Sequence, residues 1–351
     1  MKIKTMQAAI LVEQNKPLVV DEVELPNKLD CGQVLVKVNC SGICGSQLGE
    51  IAGVKGQDPY LPHLLGHEGS GIVMKRGSNV VHVKEGDHVV MHWRPGSGIK
   101  ANPPKYKWKG KTLNAGYLTT FNEYAIVSGD RLSTIPKDFD LEIGALMGCA
   151  VTTGLGVINN DAKVKIGESV VVWGAGGIGL NIIQGAALVS ANPIIAIDLY
   201  DHKLQLAKKM GASHTFNAKE TNPENEVLKI VGKNGADVVI DNTGNVEIIQ
   251  SAYQITSNKG ITILVGVPPK GDKAKLYTLP LHFDKVLTGS HGGETIPDID
   301  IPNYIKLYRN GGINLKQLIT HHYSLKNINE AIENMRNGTI SGRCIINCHS
   351  I

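Results

Sequence analysis

The stretch Ser169–Asp198, SVVVWGAGGIGLNIIQGAALVSANPIIAID, decides the fold. Val170, Val171, Val172 and Trp173 form a short apolar run suited to a strand buried on both faces. Gly174, Gly176 and Gly179 follow at the spacing G-x-G-x-x-G. The first glycine permits a tight turn, the second lets backbone approach a pyrophosphate, and the third lets helix pack closely on strand. Ile178, Ile182, Ile183, Ala186 and Ala187 then recur at helical spacing. That helix aims its free N–H groups and positive dipole end at phosphate. A second apolar run, Ile194–Ile197, ends in Asp198. A carboxylate there accepts hydrogen bonds from a ribose diol and repels a 2′-phosphate, so the expectation is a dinucleotide site that takes NAD over NADP.

Outward from this unit, strand and helix patterns alternate. Asp201–Met210, Glu224–Val231 and Val246–Thr256 read as helices, ADVVIDNTG and ITILVGVP as strands. The pattern is that of a doubly wound parallel sheet. Upstream the chain reads as short strands and turns, an all-β unit: QAAILVEQ, LVVDEVEL and VLVKVNC, then a glycine-punctuated loop CSGICGSQLGE, a Pro-rich segment, and strands at LLGHEGSGIV and VKEGDHVVMHW. Residues 94–118 read as irregular and basic, and residues 139–158 as helical. The segments 301–310 and 328–337 are two late helices before a final strand, GRCIINC.

With 351 residues the chain has room for two domains. A net charge of +4 is small for this length and gives no case for nucleic acid. The run Lys100–Lys111, KANPPKYKWKGK, reads as a solvated loop. No apolar stretch reaches the roughly 18 residues of a membrane helix, and the N-terminus lacks the apolar core of a signal peptide. Six cysteines in a chain of this length do not read as a disulfide framework, so a reduced, cytoplasmic setting is expected.

Cys44, His67 and Cys149 are candidate ligands of a catalytic zinc: two thiolates and an imidazole from separate loops leave a fourth position open for a substrate oxygen. Each alone is explained by burial or a structural hydrogen bond; the assignment comes from their contexts together. Those contexts are GICGS, GHEGSGIV, VKEGDHVV, GCAVTTG, VVVWGAGGIGL, AIDLYDHK, DNTGN, ILVGVPP and SGRCIIN. In order and spacing they resemble the zinc-dependent alcohol dehydrogenases of the medium-chain dehydrogenase/reductase superfamily, over essentially the whole chain except residues 94–118. Cys₂His with an open position is the known pattern of that enzyme's catalytic zinc, so the assignment applies a known case.

The resemblance implies an α/β chain with a GroES-like β-barrel catalytic domain, residues 1–153 and 291–351, and a Rossmann coenzyme domain, residues 154–290. The active site is then expected in the cleft between them. It implies Cys44, His67 and Cys149 as zinc ligands, with Glu68 a carboxylate able to approach the metal. Ser46 takes the proton of the substrate alcohol, and Trp93 narrows the substrate pocket. Thr153 packs on the nicotinamide. Gly177, Ile178, Val265 and Val267 join the glycine turn in holding coenzyme, Asp198 and Lys203 hold the adenosine ribose, and Arg343 reaches the pyrophosphate.

The implied reaction uses zinc as a Lewis acid that acidifies an alcohol or polyol while its hydride passes to NAD, reversibly giving an aldehyde or ketone. A homodimer or homotetramer is implied, paired at the coenzyme-domain edge strand near ITILVGV. The other readings are a zinc-free quinone or enone reductase of the same superfamily and a non-catalytic nucleotide sensor.

Departures from the family pattern carry expectations too. No cysteine falls within residues 94–118, where a structural zinc lobe would lie, so one zinc and no structural zinc are expected. Gly45 replaces a cationic pyrophosphate contact and Gly49 a proton-relay histidine. Gln47 replaces an acid behind the zinc histidine. Cys31, Cys40, Cys344 and Cys348 read as structural. The identity of the alcohol is not readable from these residues.

Overall fold

Alternating apolar positions early in the chain and continuous apolar strands later on separate the molecule into two units. A computed structural model describes residues 3–349. The first unit comprises the chain through Cys149, Ile296–Leu307 and the chain from Ile319 onward; the second comprises Ala150–Thr295 and Tyr308–Leu318.

The first unit is built on two sheets. One places His63–Leu64, Thr5–Leu11, Val19–Glu24, Tyr106–Trp108 and Lys111–Leu113 side by side. The other runs Leu132–Ile135, His88–His92, Glu68–Arg76, Gln33–Gly42, Arg343–Asn347 and Ile319–Ser324, with Tyr124–Ser128 also pairing Gln33–Gly42. Met6, Ala8, Ile10, Leu64, Tyr106 and Leu113 are buried together, the inward face that strand alternation dictates.

Residues 94–118 are not irregular throughout. Tyr106–Trp108 and Lys111–Leu113 form a hairpin, with Lys109 and Gly110 both at positive φ in a two-residue turn. Tyr106 is buried, and its hydroxyl accepts a 2.8 Å hydrogen bond from the Ile126 N–H. The lysines of KYKWKGK point outward and conceal the alternation of Tyr106, Trp108 and Leu113.

One further expectation is corrected. The stretch after Cys40 is a strand end followed by the helix Gly45–Ile51, not a loop. Its two glycines hide the helical pattern, but Gln47 and Ile51, spaced i and i+4, are the buried face. Of the four cysteines read as structural, Cys31 is exposed and its Sγ accepts from Asn79 Nδ2 at 3.3 Å, whereas Cys40, Cys344 and Cys348 are buried.

The second unit holds a parallel sheet in the order His214–Asn217, Ile194–Asp198, Val170–Trp173, Ala236–Asp241, Thr256–Leu264, Val286–Gly289. In chain order this is 3-2-1-4-5-6, the doubly wound dinucleotide-binding topology. The ITILV strand is internal to it; the edge beyond it is Val286–Gly289, which corrects the expected position of the edge. No helix among the described residues is long and apolar enough to cross a membrane.

Candidate functional site

The glycine turn closes as its residue types require. Gly174 has φ +91°, and a Cβ at Gly179 would stand 1.9 Å from the Gly174 carbonyl oxygen, so only glycine fits between turn and helix. The helix Gly177–Leu188 starts there. Asp198 ends the next strand, and its Oδ2 accepts from the Ala175 N–H at 2.8 Å. Its Oδ1 accepts from the Leu199 N–H at 2.7 Å. The carboxylate is thus anchored to the turn, with lone pairs left over for a ribose. Lys203 lies 4.8 Å over the Tyr200 ring. Val265 is half-buried and Val267 exposed; Thr153 is buried in the helix Ala150–Gly156.

In the first unit, the ligand atoms of Cys44, His67 and Cys149 all lie within 4.8 Å of one another. Three local devices bring them together. Cys44 is the residue before the helix Gly45–Ile51. His67 precedes the strand Glu68–Arg76. Cys149 follows Gly148, where a Cβ would stand 2.3 Å from the Met91 carbonyl oxygen, so the close approach needs glycine. The Cys149 side chain holds the Cys44 thiol well below its ordinary range, against the burial that raises it, and His67 and Arg343 add to the lowering. His67 Nε2 is buried with no hydrogen-bond partner. Two sulfurs, one of them a thiol held low, and an imidazole nitrogen without a hydrogen-bond partner are the donor set of a zinc ion, so the residues present fit one.

The surroundings are polar and buried. Glu68 and Arg343 form an ion pair with neither side chain more than 4% exposed. Arg343 therefore points at Glu68 inside this unit. Ser46 is exposed. Trp93 is half-buried, and its carbonyl accepts from Arg131. Gln47, Glu50, Asp58, His63, His67, Asn102 and Asn114–Leu118 are among the residues lining a cavity of about 660 Å³; Trp93 is not one of them. Sequence reasoning missed Glu50, Asp58 and His63, which form a second cluster with ligand atoms within 4.8 Å. The only signal was their charge, Glu50 at the end of the stretch read as a glycine-punctuated loop and Asp58 and His63 beside the Pro-rich segment.

Two comparisons by sequence and one by structure bear on this arrangement. Residues 30–137 match the family model described as the alcohol dehydrogenase GroES-like domain, and residues 177–310 the one described as zinc-binding dehydrogenase. Alcohol dehydrogenase 1 of Pisum sativum is 32% identical over 368 residues, covering 97% of this chain and 96% of that one. The chain belongs to the zinc-binding alcohol dehydrogenase family. S-(hydroxymethyl)glutathione dehydrogenase of Paracoccus denitrificans is 32% identical, covering 95% of this chain and 97% of that one. Among solved structures, benzyl alcohol dehydrogenase of Acinetobacter calcoaceticus is similar with a TM-score of 0.88 and 28% identity, covering 98% of this chain and 99% of that one.

The protein is accordingly an oxidoreductase of the alcohol dehydrogenase type, in a family that uses zinc and NAD(H). The zinc-free reductase and the sensor are not favoured.

Gln47 carries a consequence specific to this chain. Its Oε1 accepts from the Cys44 N–H at 2.9 Å, and its Nε2 faces His67 Nδ1. An imidazole that binds metal through Nε2 carries its proton on Nδ1 and needs an acceptor there. The amide oxygen serves Cys44 or His67, and turning the amide over only exchanges which one is left. A carboxylate serves both. Gln47→Glu is expected to tighten zinc binding about tenfold, read as slower transfer of zinc to a chelator; unchanged or faster transfer contradicts this.

Proposed function

We propose that this protein oxidises alcohols with NAD⁺, and reduces the matching aldehydes or ketones, at a single zinc held by Cys44, His67 and Cys149. The observation that carries the reading is the convergence of two sulfurs and an unserved imidazole nitrogen within 4.8 Å. When bound, zinc supplies Lewis acidity and the nicotinamide a hydride acceptor. The chain's own residues divide the remaining work. Ser46, exposed just after Cys44, takes the hydroxyl proton. Trp93 borders the substrate, and Glu68, held by Arg343, keeps negative charge beside the ligands.

The catalytic residues belong to residues 1–153 and 291–351, and the coenzyme residues other than Thr153 to 154–290. The turn Gly174–Gly179 receives the pyrophosphate, with Gly177, Ile178, Thr153, Val265, Val267 and Lys203 around the coenzyme. The anchored carboxylate of Asp198 supports NAD over NADP. Exposed Tyr277, Leu279, Phe283 and Val286, at or beside the edge strand Val286–Gly289, support a homo-oligomer. The absence of a cysteine in residues 94–118 supports one zinc per chain.

An alcohol panel assayed with NAD⁺ and NADP⁺, together with metal analysis, tests the reading. About one zinc per chain is expected, with alcohol-dependent reduction at least about tenfold more efficient with NAD⁺, a difference of roughly 1.4 kcal/mol. Well under one zinc after zinc-replete expression, or coenzyme binding without turnover of any alcohol, contradicts it.

A further inference from the structure

His63 lines the same cavity as His67 and is only 7% exposed. Its backbone is fixed by pairing with Leu11 and a bridge to Asn114. Its Nδ1 lies 2.9 Å from the Leu64 carbonyl oxygen, which can only accept. Its Nε2 lies 2.8 Å from Asp58 Oδ2, and Glu50 Oε1 stands 3.9 Å away. A neutral imidazole has one N–H and serves one of these two acceptors. An ionised Asp58 has no proton to offer Nε2. The geometry therefore needs one further proton, shared between His63 and Asp58. Asp58 is itself held in place by the Tyr60 N–H at 2.8 Å pointing to its other oxygen.

Asp58 and Glu50 face the His63 ring directly, with Lys55 acting on Glu50. His67, Lys105, Tyr60 and Tyr117 line the same cavity, and the Lys105 ammonium is already committed to Asn114 Oδ1 at 2.7 Å. Glu50 is the outlet: its side chain is 42% exposed, while those of Asp58 and His63 are 13% and 9% exposed. A cavity of about 660 Å³ has room for water between these groups and His67.

We infer that His63, paired with Asp58, is the proton station through which the substrate's hydroxyl proton leaves the cavity by way of Glu50, an inference that rests on the alcohol dehydrogenase reading above. Oxidation of an alcohol passes two electrons and one proton to the nicotinamide as hydride and releases the hydroxyl proton. That proton joins the His63–Asp58 pair as the pair's own proton passes to Glu50 and on to solvent. The pair ends as it began, and reduction runs the transfers in reverse. His63 acts through water and is a relay rather than a residue that touches the reacting atoms.

Two measurements on the intact zinc-loaded protein test this. In ¹⁵N-histidine spectra at pH 7, with His63→Gln used to assign the signal, Nδ1 is expected to carry a proton and Nε2 to share one with Asp58; an unprotonated Nδ1, or no proton bridging Nε2 and Asp58, overturns the inference without reference to turnover. In His63→Ala, kcat for alcohol oxidation is expected to fall at least about tenfold and to be restored by added imidazole, with zinc content and NADH affinity unchanged. Asp58→Asn, which keeps the shape of the pair, is expected to lower kcat without loss of zinc. Unchanged kcat, a fall that imidazole does not rescue, or a second metal ion per chain that disappears in His63→Ala overturns the inference. A wild-type protein that turns over no alcohol instead defeats the proposed function itself, and the ring-nitrogen result still stands or falls alone.

Discussion

His67→Ala is expected to lose its zinc and at least about 10³-fold in kcat/KM for alcohol oxidation, while binding NADH as tightly as the wild type. The size follows from the several kcal/mol of charge stabilisation that a Lewis-acidic metal supplies, at 1.36 kcal/mol per factor of ten. Alanine removes the only nitrogen among three donors, and two sulfurs alone leave the ion without a third protein ligand. Coenzyme affinity is spared because the turn Gly174–Gly179 belongs to the other structural unit. Metal analysis, steady-state kinetics and NADH fluorescence on one preparation check all three parts. Retained zinc with retained activity removes His67 from the site. Loss of NADH binding along with zinc points to general misfolding rather than loss of a ligand.

Arg343→Met carries the largest expected effect on stability. Glu68 is fully buried and Arg343 is 3% exposed. Removing the guanidinium leaves an uncompensated carboxylate in the interior, which costs about 3–5 kcal/mol. Arg343 also helps to hold the Cys44 thiol low, so the variant is expected to bind zinc more weakly as well. The double variant Glu68→Gln, Arg343→Met removes the stranded charge and is expected to regain most of the stability, because both charges then leave together. Urea unfolding of the three proteins is the check. A single variant within about 0.5 kcal/mol of wild type would mean that the pair is not a buried ion pair.

The two units were unequally legible in the sequence. The strand–turn–helix from Val170 to Leu188 is local, and each of its residues acts on a neighbour in the chain. Glycine at 174 and 179 is needed by geometry that the spacing alone reveals. The metal-site residues lie on separate elements, and only the contexts around Cys44, His67 and Cys149 tied them together. The helix Gly45–Ile51 was hidden by Gly45 and Gly49, although it places Gln47 against His67. The hairpin at Tyr106–Leu113 was hidden by alternating lysines, although Lys109-Gly110 is a serviceable two-residue turn. The strand Ile319–Ser324, ITHHYS, is too polar to read as a strand and owes its form to pairing with Arg343–Asn347. His63 and Asp58 were least visible of all: a histidine and a carboxylate beside prolines say nothing until the fold turns them toward each other.

The most direct test of the central claim is zinc K-edge X-ray absorption on the purified protein, repeated on Cys149→Ser. The expected shell has two sulfurs near 2.3 Å and one nitrogen near 2.0–2.1 Å, about as found for Cys and His ligands, with one sulfur missing in the variant. A shell with no sulfur, with four sulfurs, or unchanged in Cys149→Ser would contradict it.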